Sequence, residues 1–93
     1  MFHYDLEEDL RKKLKILSKK DKVLAKIFKK KVSEIINHDE KSINTYKNLK
    51  SPLNEFKRIH LTNNYILLFK VNIEKNHILF LDIVHRDKAY KNF

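Results

Sequence analysis

The spacing of apolar residues changes once along this chain, and this change limits the folds that the chain can adopt. Leu6, Leu10, Leu14 and Leu17 recur at intervals of four, four and three residues, which places them on one face of a helix. A second helical series runs through residues 24–36, after a polar break at residues 18–21. From residue 56 onward, apolar residues form short runs rich in Ile, Leu, Val and aromatics, as strands do.

The strand-like runs cover residues 56–61, 65–73 and 77–84, and they predict a three-stranded antiparallel meander. Two asparagines separate the first pair, and residues 74–76 separate the second. The chain has no glycine, so asparagine is the residue best able to adopt positive φ in such turns. Residues 2–6 predict a further edge strand, and residues 39–54 a connecting loop. The expected fold is α+β, with a two-helix hairpin packed on a small antiparallel sheet in the order β-α-α-β-β-β.

Length and composition predict one basic domain over residues 1–93. The net charge is +9, from 21 Lys+Arg against 12 Asp+Glu, which favours nucleic acid or the ribosome as a partner, although an acidic protein would also fit. No apolar run approaches the roughly 20 residues of a membrane span, so we expect a soluble, cytoplasmic protein. Without cysteine or glycine, thiolate metal sites and glycine-rich phosphate loops are excluded. We expect no cofactor and no metal.

Three arginines stand among 18 lysines, and two of them occur in strand patterns. Because side chains alternate along a strand, Arg58 and His60 share one face, whereas Lys57 lies on the other. A guanidinium that binds phosphate beside an imidazole that transfers protons is a plausible pair for RNA cleavage. A surface patch without a catalytic role explains the same spacing equally well.

The end of the last strand offers a second group of candidates. His85, Arg86 and Tyr90 come where the apolar pattern stops, so we expect them to be exposed. Tyr90 has the chemistry to stack on a base or to assist proton transfer. A tyrosine that packs back over the sheet is the simpler alternative.

In the order and spacing of its motifs, the chain resembles the RelE/ParE toxin superfamily, and the RelE branch in particular. The resemblance covers nearly the whole chain. Residues 47–53 resemble a family loop, with serine in place of its glycine, and the ending Asp82-Ile83-Val84-His85-Arg86-Asp87-Lys88-Ala89-Tyr90 is the most specific motif. The family often has arginine directly after the tyrosine of its middle strand, whereas Ile66 follows Tyr65 here.

The resemblance implies a toxin of a type II toxin–antitoxin system, which cleaves messenger RNA on the ribosome by metal-free attack of the 2′-hydroxyl. It implies a RelB-like antitoxin as the partner protein. The implied catalytic residues are Arg58, His60, Arg86 and Tyr90, and the implied RNA-binding residues are Lys57, His85 and Lys88. Two alternatives remain open: a ParE-like inhibitor of DNA gyrase, and a degenerate toxin that only binds its antitoxin.

Overall fold

Two helices and four strands follow one another in the order that the apolar spacing predicts. The structure is a computed structural model, which describes residues 1–49 and 55–87. Its elements are β1 (His3–Leu6), α1 (Glu8–Lys20), α2 (Lys22–Ile36), a short 3-10 helix (Ser42–Thr45), β2 (Phe56–His60), β3 (Tyr65–Asn72) and β4 (His77–His85). The α+β architecture is therefore confirmed.

The two helices are separated by the single residue Asp21. Its carboxylate accepts a hydrogen bond from the backbone N–H of Leu24, 3.0 Å away, and so caps the first turn of α2. Its own N–H donates to the carbonyl of Leu17 at the end of α1. Among the described residues, no helix combines the length and the apolar character that crossing a membrane requires.

The sheet has the strand order β1-β4-β3-β2. The two pairs formed by β2, β3 and β4 are antiparallel, as predicted. The edge strand β1 pairs with β4 in parallel, with His3 opposite His77, so the sheet is mixed rather than wholly antiparallel. The turn between β3 and β4 ends at Asn76, whose φ of 52° fits the expected use of asparagine where glycine is lacking.

Both faces of the central strand β3 are covered, as its apolar sequence predicts. The main core lies between the sheet and the helices and contains Leu10, Phe28, Ile35, Leu67, Phe69 and Phe80 among others. A smaller cluster on the opposite face, which we call the outer face, is formed by Leu49, Ile66 and Leu68, with partly buried side chains packed around them. Burial of each such large apolar side chain contributes about 1.5–3 kcal/mol.

Residues 43–49, here called the crossing segment, pass around the outer edge of β2 from one face of the sheet to the other. Ile43 packs in the main core, whereas Leu49 packs in the outer cluster. Between them, the backbone N–H of Arg58 donates to the carbonyl of Lys47 at 3.0 Å, and the N–H of Leu49 donates to the carbonyl of Phe56 at 2.9 Å. Part of the region predicted as a connecting loop therefore pairs with the edge strand β2 through one isolated bridge, between Asn48 and Lys57.

Candidate functional site

Arg58 and His60 lie together on the outer face of the sheet. Arg58 is opposite Leu68 in the β2–β3 register, and His60 is opposite Ile66. Residues opposite one another in an antiparallel pair share a face, and Leu68 and Ile66 belong to the outer cluster. His60 is exposed and Arg58 half-buried. The structure thus brings these two predicted residues to one surface, clear of the helices.

A cavity of about 470 Å³ opens beside this pair, between β2 and the crossing segment. Its walls are Thr45, Tyr46, Lys47, Arg58, Ile59 and His60. Lys47 is exposed, so an ammonium, a guanidinium and an imidazole border the same opening. Cationic and hydrogen-bonding groups at this density suit a phosphodiester or another anion.

Lys57, predicted as an RNA contact, lies on the helix side of β2 and not with Arg58 and His60. It is only 8% exposed. Its ammonium donates to the carbonyl of Tyr46 at 3.2 Å and to the side-chain oxygen of Asn48 at 2.7 Å. Burial lowers the pKa of Lys57, because desolvation disfavours the charged form. The ammonium of Lys57 is therefore hydrogen-bonded within the protein rather than presented on the surface with Arg58 and His60.

His85 and Arg86, two of the predicted residues, lie at the same end of the sheet as His60. His60 is opposite Ile66, which is in turn opposite Val84, two residues before Arg86. Because β3 lies between them, β2 and β4 are about 10 Å apart, twice the usual strand spacing. Arg86 is exposed, and its backbone N–H donates to the carbonyl of Asn64 at 2.8 Å.

His85 lies on the other face from Arg58 and His60. It is opposite Tyr65 in the register, and the two rings meet edge to face with centroids 5.6 Å apart. Its Nδ1 accepts a hydrogen bond from the backbone N–H of Asp87. Tyr90 and Lys88, the remaining predicted site residues, lie outside the described residues.

Ile66 occupies the outer face, where the resemblance to the family expects arginine. It is fully buried, with 0% of its surface exposed. Leu49 of the crossing segment and Leu68 of β3 pack with it in the outer cluster. The face is the one that strand alternation predicts, but at this position it is a packed apolar surface rather than an open groove.

The sequence did not single out Tyr46 or Lys47 as individual site residues, although Lys47 begins the loop that resembles the family. The hydroxyl of Tyr46 is 2.8 Å from Nε2 of His38, whose Nδ1 is 2.9 Å from the hydroxyl of Ser42. Burial raises the pKa of Tyr46. Tyr46 therefore forms a wall of the cavity while its hydroxyl is held by His38.

The described part of the chain contains no group of three or more His, Cys, Asp or Glu residues that could hold a metal ion. The chemistry available around the cavity is that of guanidinium, ammonium and imidazole groups. Such groups stabilise negative charge on a phosphate and transfer protons.

Comparison with known proteins identifies the class of this fold. The crystal structure of the isolated E. coli RelE toxin matches with a TM-score of 0.70 at 19% identity, covering 99% of this chain and 98% of that one. A chain in the crystal structure of the intact E. coli RelBE toxin–antitoxin complex matches with a TM-score of 0.68 at 20% identity, covering 89% of this chain and 94% of that chain. The chain therefore has the fold of the RelE toxins.

Sequence similarity goes further than the fold. No family model matches the chain. A protein of Methanocaldococcus jannaschii named "Putative toxin RelE4" is 37% identical over 91 residues, which cover 98% of this chain and 93% of that protein. The chain belongs to the RelE toxin family.

Proposed function

We propose that this protein is a toxin that cleaves messenger RNA on the ribosome, with Arg58 and His60 at the centre of its site. The observation that carries this proposal is the cavity at the edge of β2, where Arg58, His60 and Lys47 border one opening. The net charge of +9 attracts the phosphate backbone to the whole molecule. Membership of the RelE toxin family supports the assignment as a toxin.

The proposed reaction is an internal transfer at phosphorus that uses side chains alone. The 2′-oxygen of one nucleotide attacks the adjacent phosphorus, so the bond from phosphorus to O2′ forms while the bond to O5′ breaks. The products are a 2′,3′-cyclic phosphate and a 5′-hydroxyl. One proton leaves the 2′-hydroxyl and one is gained by O5′, so the protons balance.

Each side chain has one task in this scheme. Arg58 and Arg86 stabilise the charge that develops on the phosphoryl oxygens, and His60 transfers a proton. Tyr90 stacks on or activates the nucleotide. His85 and Lys88 contact the RNA.

We further propose that a RelB-like, acidic antitoxin neutralises this protein. The matched E. coli toxin was solved in complex with an antitoxin, and a partner of opposite charge suits a chain of +9. An apolar groove of about 430 Å³ between β1 and the helices could receive such a partner. Its lining includes Tyr4, Leu14, Phe28, Val32 and Lys29, which fits an amphipathic segment that carries acidic residues.

The proposed activity is tested in a translation extract by mapping the ends of mRNA after the protein is added. We expect new ends within translated regions, and fewer of them when initiation is blocked. Arg58→Ala and His60→Ala should each reduce the cuts strongly. Lys26→Ala is the matched control, because Lys26 is an exposed cation on α2, away from the outer face.

The other outcomes distinguish the alternatives. Intact mRNA together with inhibited DNA supercoiling by gyrase would replace the proposal with a ParE-like activity. Neither effect, in a protein that still binds an acidic antitoxin, would indicate a degenerate toxin. Equal cleavage by wild type and His60→Ala would remove His60 from the mechanism.

A further inference from the structure

We propose that Lys57 is a positioning residue, whose buried ammonium holds the crossing segment against β2 and so fixes one wall of the cavity at Arg58 and His60. This inference rests on the proposed function for its catalytic consequence. Its structural content can be tested without RNA. It also gives Lys57 a different role from that of a direct RNA contact.

The burial of Lys57 needs an explanation in a chain with so many exposed lysines. Within the described residues it is the one buried polar or charged side chain. Removing an ammonium from water is costly unless hydrogen-bond acceptors replace the solvent. Two acceptors are present, the carbonyl of Tyr46 and the side-chain oxygen of Asn48. The crossing segment therefore supplies the acceptors that the buried ammonium of Lys57 requires.

The two acceptors flank Lys47 in the crossing segment. The carbonyl of Lys47 accepts from the backbone N–H of Arg58 at 3.0 Å. Hydrogen bonds from Lys57 and Arg58 thus hold three successive residues of the crossing segment, one after another. Within the described residues, two backbone hydrogen bonds flank the bridge between Asn48 and Lys57, and the ammonium of Lys57 adds two more hydrogen bonds to the attachment.

The attached residues form part of the cavity wall. Tyr46 and Lys47 line the same opening as Arg58 and His60. If the crossing segment moves away from β2, the ammonium of Lys47 moves relative to the guanidinium of Arg58. Misplacement of binding groups by about 1 Å can slow a reaction by as much as about 10²-fold. Lys57 would therefore affect catalysis without contacting the substrate.

Hydrogen exchange of backbone amides tests the attachment directly. Lys57→Met keeps the length and the apolar stem but removes the ammonium. The amides of Arg58 and Leu49 form the backbone hydrogen bonds that join β2 to the crossing segment. We expect both to exchange about tenfold faster or more, because the segment loses its hydrogen bonds to a charged group and opens more often. Amides between β3 and β4 should be unaffected. Lys26→Met, which removes an exposed lysine from α2, should change neither set.

The salt dependence of RNA binding separates positioning from direct contact. For a short single-stranded RNA oligonucleotide, each lost phosphate contact reduces the slope of log affinity against log salt by about 0.7. We expect Lys57→Met to leave the slope unchanged and to slow cleavage about tenfold or more. Lys47→Met, on the exposed side of the same cavity, should reduce the slope by about 0.7.

Several results would overturn the proposal. Wild-type exchange at Arg58 and Leu49 in Lys57→Met would show that the ammonium does not hold the segment. A reduced salt slope in Lys57→Met would make Lys57 an RNA contact. If Lys57→Met does not fold, Asn48→Ala removes one of the two acceptors of the ammonium, and wild-type exchange at the same two amides would count equally against the proposal. A wild-type protein that neither binds nor cleaves RNA refutes the proposed function, while the exchange result still decides the role of Lys57.

Discussion

Ile66→Ala tests whether the outer face of the sheet carries a packed cluster. The side chain is fully buried against Leu49 and Leu68, so its truncation leaves a cavity that neighbours on a β-strand cannot easily fill. Such truncations cost about 2–5 kcal/mol, against a total stability of about 5–15 kcal/mol for a domain of this kind. We expect a loss of about 3 kcal/mol, which is a large part of that total.

Urea denaturation measures this loss. With a slope of about 1–3 kcal/mol/M for small proteins, a loss of 3 kcal/mol lowers the urea midpoint by about 1–3 M. Ile66→Leu is the matched control, because a change that conserves volume costs less than about 1.5 kcal/mol. A loss below about 1 kcal/mol in Ile66→Ala, near the average for point mutants in general, would refute the packed outer cluster.

Ile66→Arg extends the same reasoning to function. An arginine here would place an unpaired charge in the outer cluster, which costs several kcal/mol. We therefore expect Ile66→Arg to destabilise the fold rather than to increase cleavage. A stable variant with greater cleavage would show that the family's arginine can be restored at this position.

Three further predictions concern a phosphate contact, a helix cap and a carboxylate. Arg86→Ala should slow mRNA cleavage about 10²–10³-fold with an unchanged urea midpoint, and normal cleavage would argue against its contact with phosphate. Asp21→Ala should cost about 1 kcal/mol through loss of the cap on α2, whereas Asp21→Asn should cost little; equal losses on urea denaturation would contradict the capping role. Hydrogen bonds from Ser42, chiefly from its backbone N–H and also from its side chain, lower the pKa of Asp39. The ionised carboxylate therefore stabilises the fold at neutral pH, and this contribution is lost as the pH falls below about 3.8, the usual pKa of an aspartate. Thermal unfolding of Asp39→Asn should therefore show a smaller loss between neutral pH and pH 3 than wild type, and an equal loss would exclude this contribution.

The helices and strands could be predicted from the sequence because their signals are local. Leu10 and Leu14 mark one face of α1 by their spacing alone, and the apolar run of β3 indicates burial on both faces. The parallel pairing of β1 with β4 could not be predicted in this way. It joins residues that are 74 positions apart, His3 and His77. The sequence of a four-residue strand does not indicate which other strand it will pair with.

In the candidate site, too, the sequence predicts local features but not those that depend on distant residues. Strand alternation places Arg58 and His60 on one face, and the structure agrees. The same alternation puts Lys57 on the opposite side, but its burial depends on the crossing segment, whose polar residues have no periodic pattern. The packing of Leu49 over Ile66 depends on that segment too. Non-local contacts of this kind decide which side chains of a strand reach solvent.

The parallel pairing of β1 with β4 also governs when this protein can fold during its synthesis. β4 lies between β1 and β3 in the sheet, and Leu6 pairs with Phe80. The first strand to be synthesised therefore cannot pair until β4, the last strand, has been synthesised. Contacts between such distant residues slow folding. A nascent chain that ends before residue 77 has no partner for β1 and leaves one side of β3 unpaired. A message broken upstream of β4 would thus direct the synthesis only of fragments that cannot complete the sheet.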